Sequence, residues 1–261
     1  MKTITVRAEF SGLKEFTKSL PQTFDSLGLV IHNSRNVIKK INTREGTFVV
    51  KNFKGMYFFN RLAYSLFRKS KAARSYMYSQ ILNEKGIITP PHVAWIDCYE
   101  LGLLTSSYFV SVYYPYKTLN EIIQYYSIYD SSYKASLFHS LAAFVHKLHD
   151  LGIYHEDLSL GNILVIRALN EYQFALVDLN RIKFGPVDFR NGLRNFTTLR
   201  MSPEDLNALI TEYARLSGQP PGPAKEIFWK YEKRKSFLRR VRRKIRRYTI
   251  TQVEKILGQS H

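Results

Sequence analysis

The sequence lacks most of what would anchor or cross-link a chain. It has one cysteine, Cys98, which excludes an intrachain disulfide and a multi-cysteine zinc site and fits a reducing compartment. Long apolar runs are missing too. The opening MKTITVRAEF has too short an apolar run for a signal peptide. The longest uncharged stretch, 101–116, is too short to span a bilayer and is rich in Ser, Thr and Tyr. The chain is therefore expected to be soluble or to lie on a membrane surface. Acidic residues are scarce: 21 Asp and Glu stand against 39 Lys and Arg, for a net charge of +18. The excess is concentrated between Lys230 and Arg247, where eleven basic residues accompany one acid, Glu232. A field of this sign attracts polyanions and does not by itself choose among them.

What is present can fold. A chain of 261 residues with 45% hydrophobic residues can bury a sizeable core, as one large domain or two lobes. No internal repeat or low-complexity linker interrupts it. Short β-branched or aromatic runs at 28–33, 36–41 and 46–53 read as strands, as do 92–98 and 107–114. Between them, 70–85 reads as a helix stopped by Gly86. From Ser131 to Leu151, apolar Leu137, Leu141, Phe144, Val145, Leu148 and Leu151 recur at helical spacing. A loop and strand follow at 152–166, then a strand at 172–178. After Gly185 the pattern turns helical, with Ser202-Pro203-Glu204 as a helix start and 218–223 as a turn. This order predicts an α+β fold: an N-lobe over 1–114, with an antiparallel sheet and one main helix, and a mostly helical C-lobe over 115–261.

One constellation carries chemistry. His155-Glu156-Asp157-Leu158 is followed by Asn162-Ile163-Leu164 and, after a short hairpin, by Leu176-Val177-Asp178. Phosphoryl transfer needs a carboxylate at the acceptor hydroxyl and two oxygen ligands for Mg²⁺ on the nucleotide phosphates. An Asp, an Asn five residues later and a second Asp closing the next strand have that spacing. Each residue alone could merely cap a turn. Joined to the LHDLGIYH lead-in and the Ile-Leu-Val strand, the set reads as a phosphotransfer site. His139, His146 and His149, on a helix facing a core, read as packed or capping histidines rather than metal ligands.

The stretch resembles the catalytic loop of the protein-kinase-like superfamily. The wider pattern resembles the lipopolysaccharide kinase family, which phosphorylates Kdo or heptose in the inner core. The resemblance is carried by 34–41, 48–54, 60–76, 85–91, 155–164 and 176–185, within about 28–185 of the chain. It implies a two-lobe protein-kinase-like fold using ATP and Mg²⁺. Asp157 would be the catalytic acid/base, Asn162 and Asp178 the metal ligands, and Lys51 the strand lysine on the α- and β-phosphates. Asn33, Ser34 and Arg35 would form the turn over the phosphates, with Tyr113 and Tyr114 also at the nucleotide. His155 would brace the loop.

The sequence departs from the pattern at several points. The phosphate turn His32-Asn33-Ser34-Arg35 has no glycine, although Asn33 can take positive φ. Asn180 replaces the glycine of the Asp-Phe-Gly triplet. Ser159 stands where protein kinases place a lysine, a role open to Arg35 or another base. Met77 stands where the helix glutamate partner of Lys51 is expected. No Ala-Pro-Glu triplet follows Asp178, so a peptide-docking platform is not expected and a sugar or other small hydroxyl acceptor is.

The tail 237–248 places Leu238, Val241 and Ile245 at i, i+3 and i+7 among arginines. It reads either as a solvated helix face or as an amphipathic helix on an anionic membrane. No nucleic-acid reading motif accompanies it. The expected activity is transfer of the γ-phosphate of ATP to a Kdo or heptose hydroxyl. The expected partner is a lipid A precursor or other anionic glycolipid, met at the cytoplasmic face of the inner membrane. The alternatives are another small-molecule phosphotransferase of the same fold and a lipid- or protein-binding pseudokinase.

Overall fold

A computed structural model describes residues 1–54, 69–129, 131–168 and 171–258, with side chains described for these except at 126–132, 167–171 and from 246 onward. The chain forms two compact units, one of residues 1–129 and 160–183, the other of 130–159 and 184 onward.

The first unit is built on an antiparallel sheet of six strands: β1 (Lys2–Val6), β2 (Leu29–Asn33), β3 (Val37–Thr43), β4 (Gly46–Asn52), β5 (His92–Glu100) and β6 (Leu103–Val112). Their spatial order is β1-β5-β6-β4-β3-β2. Successive side chains in a strand point to opposite faces, and the apolar ones sort accordingly. Ile41, Phe48, Val50, Ala94, Ile96, Tyr108 and Val110 form one packed face. Against it lie Leu13, Leu20 and Phe24, from and around helix α1 (Lys14–Thr23). Lys39 also points into this face. Its ammonium donates to the carbonyls of Phe24, Asp25 and Leu27 at 2.7, 2.9 and 2.9 Å, which satisfies backbone acceptors that a helix end leaves unpaired.

The sequence reading assigns no element before residue 28. β1 is a five-residue edge strand, and α1 carries Pro21, which reads as a helix breaker although it sits only in the last turn. The other face of the sheet carries helix α2 (Lys71–Glu84). The Ser70 hydroxyl caps it, accepting from the Ala73 amide at 2.9 Å, and Gly86 ends it at φ +68°. β6 begins at Leu103 rather than 107, because Leu101 and Gly102, at φ +49° and +77°, turn the chain straight back from β5.

The first unit also holds α3 (Leu119–Tyr129) and the hairpin β8 (Ile163–Ala168) and β9 (Glu171–Leu176). A capping box starts α3. The Glu121 carboxylate accepts from the Thr118 amide at 2.7 Å, and the Thr118 hydroxyl accepts from the Glu121 amide at 3.3 Å.

The second unit contains α4 (Ser131–Asp150), β7 (Ile153–His155), α5 (Phe189–Asn195), α6 (Pro203–Leu216) and α7 (Pro221–Gly258). Leu141, Val145, Leu193, Phe196, Leu209, Ile210 and Phe228 are fully buried there. The predicted α+β class with an antiparallel sheet is the class observed. Among the described residues there are seven α-helices. Residues 55–68, which include Arg61 and Arg68 of the segment 60–76 that carries the family resemblance, lie outside the described residues.

Candidate active site

In the first unit, alternation along β4 puts Phe48 and Val50 into the core and Lys51 on the opposite face. The Lys51 ammonium forms an ion pair with the Asp178 carboxylate, 127 residues away in sequence. Both side chains are mostly buried. Hairpin register delivers Asp178. Ile163 pairs with Leu176, and the Val177 amide donates to the Asn162 carbonyl at 3.0 Å, so Asn162 sits at the mouth of the hairpin where Asp178 leaves it. The Leu176 carbonyl accepts from the Thr89 hydroxyl at 2.8 Å, which ties the hairpin to the chain just before β5.

Asp178 itself adopts φ +58° and ψ +49°, the left-handed region, and leads into a 3₁₀ turn over Leu179–Arg181. Asn180 lies within that turn and donates from its side chain to Asp178 Oδ1 at 2.5 Å. The glycine expected at position 180 is therefore not needed. The left-handed residue is the aspartate, and Asn180 adds a donor to its carboxylate.

Asn33, Ser34 and Arg35 occupy the exposed end of the sheet. Asn33 pairs with Val37 across the β2–β3 turn, the Ser34 amide donates to the Asn36 carbonyl at 3.1 Å, and Ser34 Oγ meets His32 Nε2 at 2.8 Å. Asn33 is not among the residues with positive φ. Tyr113 has the Lys40 ammonium 4.0 Å from its ring centroid. Tyr114 packs edge-on against Tyr116 at 5.5 Å, and burial, then Tyr116, pushes its hydroxyl pKa up. Neither contact involves Lys51 or Asp178.

Helix α2 presents no glutamate to Lys51. Its one acid, Glu84, accepts from the Gln80 side chain at 3.0 Å. Met77 takes a contact from the Lys69 ammonium at 3.1 Å. The residue of α2 beside Lys51 is Lys71. The two ammonium groups lie 5.1 and 5.9 Å from the centroid of one ring, Phe53. In the sequence Lys71 is one of five basic residues, with Arg61, Arg68, Lys69 and Arg74, in the segment 60–76.

In the second unit, His155 is fully buried and its Nδ1 accepts from the Asp157 amide at 3.1 Å, so it braces the loop. Its carbonyl accepts from Asn195 Nδ2 at 2.9 Å. Asn195 Oδ1 in turn accepts from His149 Nε2 at 3.1 Å, and His149 Nδ1 accepts from the Tyr213 hydroxyl at 2.8 Å. An amide oxygen can only accept, so this chain puts the His149 proton on Nε2. Burial pulls the His149 pKa down and pushes the Tyr213 pKa up, keeping both neutral. Gly192 leaves room for the chain, because a Cβ there would lie 2.0 Å from the Tyr213 oxygen. Asn195 carries no motif and escaped the sequence reading. The other two histidines pair with acids, His139 with Glu212 and His146 with Asp150, each at 2.9 Å.

A lysine–aspartate pair, a hairpin-mounted Asn and Asp and a braced His-x-Asp loop are the groups that the kinase-like reading of the sequence calls for. The profile of the lipopolysaccharide kinase (Kdo/WaaP) family matches residues 36–216, more than half of the chain, and the chain belongs to that family. It is therefore a kinase of the lipopolysaccharide core. Its fold is similar to a solved structure described as "WaaP in complex with acyl carrier protein". The TM-score is 0.62 at 16% identity, over 89% of this chain and 97% of the other. No curated protein matches the sequence.

Proposed function

We propose that the protein is an ATP-dependent kinase that phosphorylates a Kdo or heptose hydroxyl of a lipid A precursor. The observation that carries this reading is the Lys51–Asp178 ion pair beside Asn162. Asn162 and Asp178 offer hard oxygen donors of the kind Mg²⁺ prefers, at adjacent points of one hairpin. Bound there, the ion would neutralise charge on the transferring phosphates. Lys51 would orient the phosphates, leaving Asp178 to the metal. Asp157 lies five residues before Asn162 and would orient and deprotonate the acceptor hydroxyl. Its amide is fixed by His155, whose position rests on Asn195 and His149.

The acceptor would be met at the cytoplasmic face of the inner membrane. Helix α7 exposes Phe237, Leu238, Val241 and Ile245 among arginines, which suits a surface of anionic lipid. No described helix is long and apolar enough to cross a membrane. A second reading of this basic surface is a protein partner, since the structurally similar WaaP was solved with acyl carrier protein.

The test is incubation with labelled ATP and lipid A precursors that differ in their inner sugars. Asp157→Asn is expected to keep nucleotide binding and lose turnover by roughly 10²–10⁴-fold. Asp178→Asn is expected to lose productive Mg·ATP binding. Turnover at the wild-type rate in Asp157→Asn would overturn the assignment. No turnover by the wild type on any precursor would favour a small-molecule phosphotransferase or a pseudokinase.

A further inference from the structure

We infer that Lys71, with Arg181 near it, forms a phosphate-binding site beside Lys51. The inference rests on the kinase reading only for the identity of the phosphate. The Lys51 and Lys71 ammonium groups both lie over one aromatic ring, Phe53, and Asp178 pairs with Lys51 alone of the two. The Asp178 oxygen that Lys51 contacts is also taken by Asn180. Among the described residues, Lys71 has no ion pair. Its own helix offers only Glu84, thirteen residues and about 20 Å further along the axis, already engaged with Gln80. Residues 55–68 contain no Asp or Glu to supply the missing charge.

Helix α2 packs against the Leu179–Arg181 turn, which brings Arg181 to the same side. Burial holds the Lys71 ammonium below its usual pKa, and Arg181, Arg35, Arg74 and Lys51, all cations, lower it further. A half-buried ammonium among cations is costly, and a multiply charged phosphate offsets that cost. Where a protein kinase sets a helix carboxylate against its strand lysine, this helix sets a second lysine. The ligand then supplies the anion.

The same chemistry fits a phosphate of the nucleotide or a phosphate ester on the acceptor. The test titrates inorganic pyrophosphate into the full chain, as wild type, Lys71→Met and Lys71→Glu, with melting curves to confirm folding. Wild type is expected to bind, Lys71→Met about tenfold more weakly, and Lys71→Glu more weakly still. No binding by wild type, or equal affinity in all three, overturns the site. Tighter nucleotide binding by Lys71→Glu overturns it as well, since a restored Lys51 partner would then be worth more than the lost cation. Competition between pyrophosphate and Mg·ATP assigns the site to the nucleotide, and simultaneous binding assigns it to the acceptor. Pyrophosphate binding is read without turnover, so an inactive enzyme would sink the kinase reading and leave this site standing.

Discussion

Asp178 stands in a backbone conformation that most side chains avoid. The left-handed region costs an L-residue roughly 1–2 kcal/mol, and Asp tolerates it better than most. Hydrogen bonds to a charged group contribute about 1.5–3 kcal/mol each, and this carboxylate takes one from Lys51 and one from Asn180. The geometry is thus held by its contacts and aims the carboxylate at Lys51. Met77 plays no such part. Six residues beyond Lys71, it lies about 240° around the helix from the side that meets Lys51, and its sulfur faces Lys69. The methionine is therefore not a lost glutamate. Met77→Glu is expected to pair with Lys69 and leave Mg·ATP affinity within about twofold of wild type, measured by calorimetry. A tenfold change in either direction would contradict this placement.

At the scale of the element, β5 and α2 share two buried ionisable groups with opposed effects. His92 meets Ser79 at 3.2 Å and the edge of Tyr76 at 4.4 Å, and burial, then Arg7, lowers its pKa to about 4. Asp97 is raised to about 6 by burial, against hydrogen bonds from Ser70 and Tyr99. Between pH 4 and 6.5 the unfolded chain protonates His92 more than the folded one does, so His92 makes stability rise with pH. Asp97 binds its proton more tightly when folded. It makes stability fall as pH rises from about 4 to 6. The two slopes nearly cancel in the wild type. Asp97→Asn is expected to melt at steadily higher temperature as pH rises through this window, and His92→Gln at steadily lower temperature. Slopes of the same sign in the two variants would refute the opposition.

For the whole molecule, the charge of +18 is carried disproportionately by α7. The helix is seated near its start by Phe228, by Trp229 donating to Asn207 at 2.9 Å, and by Lys235 donating to Thr197 at 2.7 Å. Beyond Arg239, which pairs with Glu232, the exposed Val241 and Ile245 continue the apolar stripe. Ending the chain at Arg240 therefore spares the seated part. This truncation is expected to weaken binding to anionic liposomes strongly, since each basic residue near the surface adds about 1 kcal/mol. Added salt should mimic the loss by screening. Equal sedimentation of the folded truncated and full chains with vesicles would exclude the membrane role.

Local pattern was enough to place much of this protein. Short β-branched or aromatic runs located β2 to β5, helical spacing over 131–151 located α4, and the Asp-x₄-Asn…Asp spacing singled out the hairpin residues. These signals lie within short windows, where side-chain period and turn residues decide the local state. The first 27 residues escaped, because a five-residue edge strand and a helix with proline in its last turn carry little periodicity and gain their stability by packing on the sheet. The pairing of Lys51 with Asp178, the left-handed aspartate and the bracing of His155 by Asn195 and His149 join residues 40 to 127 positions apart, or depend on one backbone angle. No local propensity encodes such choices. Lys71 shows the division most clearly: the sequence supplied a helix over 70–85 with a lysine near its start, and only the packing of α2 beside Phe53 decided that this lysine shares a ring with Lys51.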